Sequence, residues 1–363
     1  MLRLQSKSKA LQSKGVPLET KTERFKTIAV LSKAFDKKFE VTNSLVRVGS
    51  KNLLPIPAIH TGLPTLDYDV FKFGGIPVGR MVELYGEPSQ GKTSLSLHIA
   101  GEEQKAGGVV VFVDVENALD LSYAQSLGVN IDELVLSQPN SSDEALHIVD
   151  QLVENSAASL VIIDSVAALV SEQELVGEIS DAHIGIMARQ MSQACRILTG
   201  KAARNKVAII WINQTRVNIG QKYGDPTVTP GGRALKFYSS LRLCVSRKEA
   251  ITEGTKDNIV GHQVDVRCTK NKGGVPFQRT QIDLIYPGSG RTAGFDKVSD
   301  MITYASNHGL FEMNGSWYSI DGVKVANGLL NLKEYLRGEP KAIEALQKKV
   351  EEFVKKQEEV PNV

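Results

Sequence analysis

The strongest constraint on what this chain can fold into is Gly86-Glu87-Pro88-Ser89-Gln90-Gly91-Lys92-Thr93, which matches G-x-x-x-x-G-K-[ST]. The loop lies between a short apolar run, Met81 to Tyr85, and a helical pattern, Thr93 to Ala106. Glycines let successive backbone N–H groups curl around a phosphate, and the following helix adds its positive end. Lys92 offers a mobile point charge to the β- and γ-phosphates of a nucleotide, and Thr93 offers a hydroxyl to magnesium. Such a loop needs a strand before it and a helix after it, so it implies an α/β core.

The flanking sequence supplies that core. Val109 to Val113, Leu134 to Ser137, Leu160 to Ile163 and Val207 to Ile212 read as short apolar strands, separated by helical patterns at Ser142 to Glu154 and Gly185 to Arg204. Apolar strands alternating with helices predict a mainly parallel sheet covered by helices on both faces. In such sheets the site lies beyond the carboxyl ends of the strands. Four predicted strand ends carry candidate chemistry: the glycine loop, Glu116, Asp164 and Gln214.

Each of those residues has a physical task. Asp164, after an apolar strand, can hold magnesium opposite Thr93. A carboxylate beside the γ-phosphate can orient an attacking water, and Glu116 fits this better than its competitor Asp114. Gln214 can hydrogen-bond the γ-phosphate without strong repulsion and opens the Gly- and Pro-rich stretch Thr215 to Gly232. A loop of that length is usually functional, and its position would let nucleotide state act on it. Beyond it, Leu241 to Val245, Val264 to Thr269 and Thr280 to Ile285 are expected to extend the sheet in antiparallel fashion. From about Gly288 a small second domain is expected: a helix at Ser299 to Asn307, a hairpin around Gly315 to Val323, and helices at Leu329 to Leu336 and Lys341 to Lys355.

Composition excludes little. The chain has 43 Lys/Arg against 41 Asp/Glu, a balance that by itself points to no nucleic acid. No apolar stretch of about 18 residues is present, so no membrane span is expected. Cys195, Cys244 and Cys268 form no CxxC pair and offer no zinc spacing. Charge is uneven, however: residues 1–40 hold ten Lys/Arg and four Asp/Glu, and the first eighteen residues contain no acid. That arm reads as a solvated tail, a phosphate-contacting arm or an organellar transit peptide. Behind it, Phe25, Ile28, Leu31, Phe35 and Phe39 make one apolar helical face that must pack on the core or on another subunit.

Taken together, several segments resemble the bacterial-type RecA recombinase family. They are the glycine loop, Phe112-Val113-Asp114-Val115-Glu116-Asn117-Ala118-Leu119-Asp120, Asp164-Ser165-Val166-Ala167-Ala168-Leu169 and Gly231-Gly232-Arg233-Ala234-Leu235-Lys236-Phe237-Tyr238. Gly177-Glu178-Ile179, Met191-Ser192-Gln193-Ala194 and Lys270-Asn271-Lys272 add to them, and the likeness spans roughly residues 25–355. It implies a RecA-like P-loop core, an N-terminal oligomerisation helix and a small α+β C-terminal domain. It also implies an enzyme that forms a helical homo-oligomer on single-stranded DNA with ATP and Mg2+, pairs it with homologous double-stranded DNA and exchanges strands. DNA-dependent ATP hydrolysis and a cytoplasmic location follow from the same likeness.

Residue by residue, the resemblance makes Glu116 the activator of water, with Lys92 and Gln214 at the triphosphate. Lys270 and Lys272 would reach a neighbouring protomer's γ-phosphate. Residues 86–93 with Ser94 would hold the nucleotide, and Asp120, Tyr123 and Tyr286 its base. The first DNA loop would be residues 177–184, including Gly177, Glu178, Ile179 and Ile184. The second would be residues 215–230, including Arg216, Val217, Asn218 and Ile219. Arg189 and Arg196 would add backbone contacts, and Gly231 and Gly232 would let the second loop approach DNA. The implied organisation is a basic arm (1–23), an oligomerisation helix and linker (24–60), an ATPase core (61–288), a C-terminal domain (289–355) and a tail (356–363).

The sequence departs from the family pattern at several points. Glu87 and Pro88 are transposed, Gln90 is unusual, Asn117 stands where His is usual after the catalytic Glu, and Arg233 stands where Asn is usual. The tail mixes Lys with Glu and lacks a strongly acidic end. A related helicase motor and a non-catalytic ATP-gated filament share the glycine loop. The missing zinc spacing counts against the zinc-bearing recombination helicase, and Glu116 counts against the non-catalytic filament.

Overall fold

A computed structural model describes residues 21–40, 44–45, 57–72, 74–176, 185–217, 227–320 and 322–359. The chain divides into two compact units, residues 1–56 and 57–363. In the first, a helix runs from Lys21–Phe39 and buries none of its residues. Its stripe of Phe25, Ile28, Leu31, Phe35 and Phe39 is exposed. A helix of this length gains little stability by itself in water, so the stripe is where packing has to supply it.

The second unit opens with a two-stranded antiparallel pair, β1 (Ala58–Ile59) and β2 (Ile76–Pro77). The sequence here shows only breakers, yet its Leu63, Leu66, Val70 and Phe71 are completely buried. A π-helical turn, Thr65–Val70, brings these residues into the core without a 3.6-residue period that patterning could detect.

The main sheet has nine strands in the order β13-β12-β11-β10-β3-β7-β6-β4-β5. They are β3 (Met81–Gly86), β4 (Val110–Asp114), β5 (Val135–Ser137), β6 (Leu160–Asp164), β7 (Ala208–Gln214), β10 (Leu241–Thr252), β11 (Ile259–Asn271), β12 (Arg279–Ile285) and β13 (Gly294–Phe295). From β10 through β3, β7, β6 and β4 to β5 every pairing is parallel. The antiparallel part begins only at β10–β11, so β10 corrects the expectation that all three later strands would run antiparallel. The reason is connection length. β7 reaches β10 by a long crossover carrying the helix Ala234–Tyr238, which permits a parallel neighbour, whereas a short turn joins β10 to β11 and enforces a hairpin.

Alternation along the strands divides the core. Val82, Leu84, Phe112, Ile162, Ile210 and Leu243 pack with Leu95 and Ile99 of the helix Lys92–Lys105 on one face. Met81, Val111, Val161, Ile163, Ile209 and Trp211 pack on the other with Val149, Met191, Cys195 and Leu198 of the helices Ser142–Glu154 and Ile186–Asn205. Both faces are buried, so the parallel strands are apolar nearly throughout.

After β7 the chain pairs β8 (Arg216–Val217) with β9 (Thr227–Val228), so the stretch read as a structureless loop has a hairpin base. The C-terminal segment builds its own sheet, β14 (Glu312–Asn314), β15 (Trp317–Ile320) and β16 (Val323–Asn327), one strand more than the expected hairpin. The helices Lys297–Asn307, Leu329–Arg337 and Pro340–Glu359 close a separate apolar core around Ile302, Tyr304, Leu332 and Leu336. Polar contacts join it to the larger core, Lys333 to Asp283 of β12 and His308 to Asp69 of the π-helical turn, while Arg291 and Arg337 both hold Asp296 at the start of the helix Lys297–Asn307.

Candidate functional site

β3 ends at Gly86, in register with Gln214 at the end of β7. A side chain at Gly86 would lie 2.1 Å from the carbonyl oxygen of Val245, so only glycine fits. Gly91 sits at φ +92°, which costs glycine alone little, and turns the chain into the helix Lys92–Lys105. Lys92 is buried, and its Nζ donates to the carbonyls of Gly86 (3.1 Å) and Glu87 (2.7 Å). Burial pulls its pKa down, against the opposing pull of Asp164, Glu116 and Glu87. An ammonium held by two carbonyls beside a curled backbone is poised to exchange them for phosphate oxygens, which are stronger charged acceptors.

Thr93 Oγ1 donates to Asp164 Oδ2 at 2.6 Å, joining the first turn of the helix to the end of β6. Burial raises the Asp164 carboxyl to about 6, Glu116 and Asp114 push the same way, and the Thr93 bond opposes. Two hard oxygen donors facing each other, with excess negative charge around them, suit a divalent cation carried in on a nucleotide. Among the described residues no cluster of three His, Cys, Asp or Glu forms a metal site of its own, which fits a cation whose other ligands are phosphate and water.

Asp114 and Glu116 separate clearly. Asp114 is buried and accepts from the N–H groups of Ala118 (3.3 Å) and Leu119 (3.1 Å) and from Gln138 Nε2 (3.1 Å). Its carboxylate is occupied in shaping the turn after β4. Glu116 is exposed to the cleft. Its Oε1 accepts from Ser165 Oγ at 2.5 Å and from Gln214 Nε2 at 3.2 Å. The ends of β4, β6 and β7 therefore meet at one carboxylate oxygen.

Beyond the loop lies a cavity of about 270 Å³ lined by Ser89 to Ser94, Tyr123, Arg247, His262, Leu284 and Tyr286. Ser94 Oγ and the Tyr123 hydroxyl share a hydrogen bond of 2.8 Å. Asp120 accepts from the N–H groups of Ser122 and Tyr123 and so caps the short helix Leu121–Ser126 that carries Tyr123. Sequence reading missed Arg247, His262 and Leu284. They come from β10, β11 and β12, and only the register that sets Arg247 opposite Val264 and His262 opposite Leu284 brings them to the loop. His262 Nδ1 lies 2.8 Å from the Tyr286 hydroxyl, and burial, helped by Arg247, lowers its pKa.

Lys270 and Lys272 are not in this cleft. Lys270 is in register with Arg242, and Arg242 with Glu83, well before the loop, whereas Val264 touches the loop at Gly91. Val264 and Lys270 are about 20 Å apart along β11, at about 3.3 Å per residue. Lys270 Nζ donates to the carbonyls of Lys236 and Phe237, both at 2.7 Å, and Lys272 Nζ to that of Tyr238 at 3.2 Å. Desolvation, with Lys272 and Arg242 nearby, brings the Lys270 pKa down to about 8.

Arg189 and Arg196 are exposed on the helix Ile186–Asn205, and Arg216 is exposed in β8. Gly231 and Gly232 sit at φ +80° and +75°, packed against Val166, Met191 and Ala188. Val217 lies in β8, while Gly177, Glu178, Ile179, Ile184, Asn218 and Ile219 fall outside the described residues.

A family model described as the RecA N-terminal domain matches residues 26–291, and one described as the RecA C-terminal domain matches 299–355. The chain is 42% identical to Protein RecA 2 of Myxococcus xanthus over 330 residues, 90% of each chain. It is 42% identical to Protein RecA of Azospirillum lipoferum over 89% of this chain and 87% of the relative. It is 41% identical to Protein RecA of Clostridium tetani over 91% and 92%. With a phosphate loop at one of four converging strand ends and these matches along nearly its whole length, the chain belongs to the RecA family of ATP- and magnesium-using DNA recombinases, which form filaments on single-stranded DNA, hydrolyse ATP in a DNA-dependent way and exchange strands with homologous duplex.

Proposed function

We propose that the cleft at the ends of β3, β4, β6 and β7 is the ATPase centre that drives recombination, with Glu116 as the residue that activates water. The observation that carries this reading is the convergence of Ser165 and Gln214 on Glu116 Oε1, beside a carboxylate–hydroxyl pair and a curled phosphate loop. Backbone N–H groups of residues 86–93 and the Lys92 ammonium hold the triphosphate. Thr93 and Asp164 would hold the magnesium ion, which supplies charge neutralisation on the phosphates. Ser94 and Tyr123, with Tyr286, take the nucleoside end, and Asp120 keeps Tyr123 in place through its cap.

Glu116 orients a water on the side of the γ-phosphate away from the leaving oxygen and takes its proton. Gln214 has one amide to share between Glu116 and a γ-phosphate. Nucleotide state therefore acts at the root of residues 215–230, which contact DNA together with Arg189, Arg196 and the described part of that segment, Arg216 included. Residues 1–23 form the basic arm and 356–363 the tail. Residues 24–60 serve subunit assembly, 61–288 the ATPase core, and 289–355 duplex capture. From its RecA relatives we place the protein in the cytoplasm; among the described residues no helix is long and apolar enough to cross a membrane.

The testing variant is Glu116→Gln, which keeps size and hydrogen bonding but removes the base. It should retain ATP-dependent assembly on single-stranded DNA and lose steady-state hydrolysis by about 10²-fold or more. Hydrolysis at the wild-type rate in a well-assembled filament would move the assignment elsewhere. Joint molecules formed from a circular single strand and a linear duplex with ATP measure the whole activity.

A further inference from the structure

Two of the residues that make this phosphate loop unusual, Glu87 and Gln90, are anchored by their side chains. Glu87 Oε1 accepts from Thr215 Oγ1 at 2.5 Å. Gln90 Oε1 accepts from the backbone N–H of Arg247 at 2.5 Å. The loop is thus tied on one side to β10 and on the other to the first residue after β7. The second tie is reinforced by the backbone, since the Thr215 N–H donates to the Gly86 carbonyl at 3.2 Å. Arg216, the next residue, begins the hairpin base that pairs with Val228.

From this geometry we infer that Glu87 is a positioning residue that transmits nucleotide state to the DNA loop through Thr215, in parallel with Gln214. The inference rests on the reading of residues 215–230 as a DNA-contacting segment. Two changes reach Glu87 when a triphosphate enters. Lys92 Nζ now holds the Glu87 carbonyl at 2.7 Å, and turning to phosphate oxygens withdraws that bond. At the same time the phosphates bring negative charge towards the Glu87 carboxylate, which already stands close enough to act on Lys92. Both changes bear on the residue whose side chain grips Thr215, so the root of the loop is held differently with and without nucleotide. Gln214 and Thr215 are consecutive and bond in different directions, one to Glu116 and the other to Glu87. Catalytic carboxylate and phosphate loop thereby each have a separate grip on the same chain segment.

The Thr215–Glu87 bond is solvated, so its worth is modest. A net hydrogen bond of this kind corresponds to an effect of about 3- to 10-fold. The experiment measures the affinity of the full-length protein for a fluorescent oligo(dT) single strand with ADP and with a non-hydrolysable ATP analogue, and takes the ratio of the two affinities. Wild type, Glu87→Ala, Thr215→Val, the double variant and Glu87→Gln are compared. Thr215→Val is nearly isosteric and leaves the loop's own residues untouched, so it stays informative even where Glu87→Ala perturbs folding.

The expected result is that each single substitution reduces the ratio by about 3- to 10-fold, and that the double variant is no worse than either. Glu87→Gln keeps an oxygen acceptor for the Thr215 hydroxyl but loses the charge that the phosphates repel, so its ratio should fall between those of Glu87→Ala and wild type. Ratios unchanged in both single variants, effects that multiply in the double, or a Glu87→Gln ratio lower than that of Glu87→Ala would each overturn the inference. Arg216→Ala distinguishes the underlying reading: if it leaves affinity unchanged in both nucleotide states, the DNA-contacting role of the segment fails, whatever the Glu87 variants do.

Discussion

A single buried carboxyl ties the pH response of this molecule to its domain junction. Asp300 lies in the first turn of the helix Lys297–Asn307, is fully enclosed, and accepts from the Thr65 N–H at 3.0 Å and from the Thr65 hydroxyl. Burial pushes its pKa up to about 7, although the Thr65 bonds and Lys333 pull it down and Asp69 adds to the rise. Asp67, fully buried nearby and bonded to Thr61, is raised well above its ordinary value too, and Asp300 adds to that rise. The folded chain therefore holds the Asp300 proton more tightly than the unfolded chain, where the group titrates near 4. Stability from this group is present below about pH 4, is lost as pH rises to about 7, and is flat above. Asp300→Asn keeps the shape and an acceptor for the Thr65 N–H but does not titrate. The difference in apparent melting temperature should shift in favour of the Asn variant between about pH 4 and pH 7, by on the order of a few kcal/mol in stability. A difference that stays constant across that window would mean Asp300 is ionised throughout.

At the level of elements, β3 is fastened to both neighbours by one buried charge. Glu83 is completely buried; its Oε2 accepts from Arg242 Nε of β10 at 2.5 Å and its Oε1 from Asn213 Nδ2 of β7 at 3.1 Å. The Arg242 guanidinium also lies 4.5 Å from the centre of the Tyr85 ring. Arg242→Ala should lower unfolding stability by about 3–5 kcal/mol in a denaturant titration, because it strands a carboxylate inside the sheet. Replacing both partners with apolar residues, Glu83→Leu with Arg242→Met, should recover most of that loss. A midpoint unmoved by Arg242→Ala would mean the Glu83–Arg242 pair contributes nothing to holding β3 and β10 together.

This pair also marks where sequence legibility stops. The strand ends at Gly86, Asp164 and Gln214 were readable because mainly apolar runs, Met81 to Tyr85, Leu160 to Ile163 and Val207 to Ile212, lead into them. In Met81 to Tyr85 and Leu241 to Val245, however, a single polar residue between apolar ones is the pattern of a solvated strand face. Here the polar residues point at each other inside a sheet covered on both sides. Arg247 and His262 were invisible for the same reason: their place in the nucleotide cavity depends on the β10–β11–β12 register, which no local pattern encodes. Glu116 and Asp114 could be ranked by spacing, but only the bonds of Asp114 to Ala118 and Leu119 account for its carboxylate.

On the scale of the whole molecule, we propose that Lys270 and Lys272 complete the reaction centre of a neighbouring protomer, because on their own chain they lie far from the phosphate loop. The phosphate loop and Glu116 sit at the carboxyl ends of β3 and β4, while Lys270 and Lys272 lie at the other end of the β10–β11 ladder, beside an exposed Phe237. No rearrangement short of breaking the sheet brings Lys270 to its own chain's loop. A head-to-tail stack of protomers would bring it to a neighbour's loop and would repeat the contact at every step, as heterologous interfaces do in open filaments. The Lys270 ammonium, with its pKa brought down to about 8, rests on the carbonyl end of the helix Ala234–Tyr238 and can leave it for a stronger anion. Lys270→Ala should then cut DNA-dependent ATP hydrolysis by about 10²-fold, the usual size for a lost charge stabiliser. Mixing separates the two geometries. Glu116→Gln filaments and Lys270→Ala filaments should each be nearly inactive. In a one-to-one co-assembly about a quarter of random interfaces join an intact Glu116 to a neighbour's intact Lys270, and hydrolysis should return to about that fraction of wild type. If both residues served the same chain, no mixture would contain an intact site, and the co-assembly would stay as inactive as its parts.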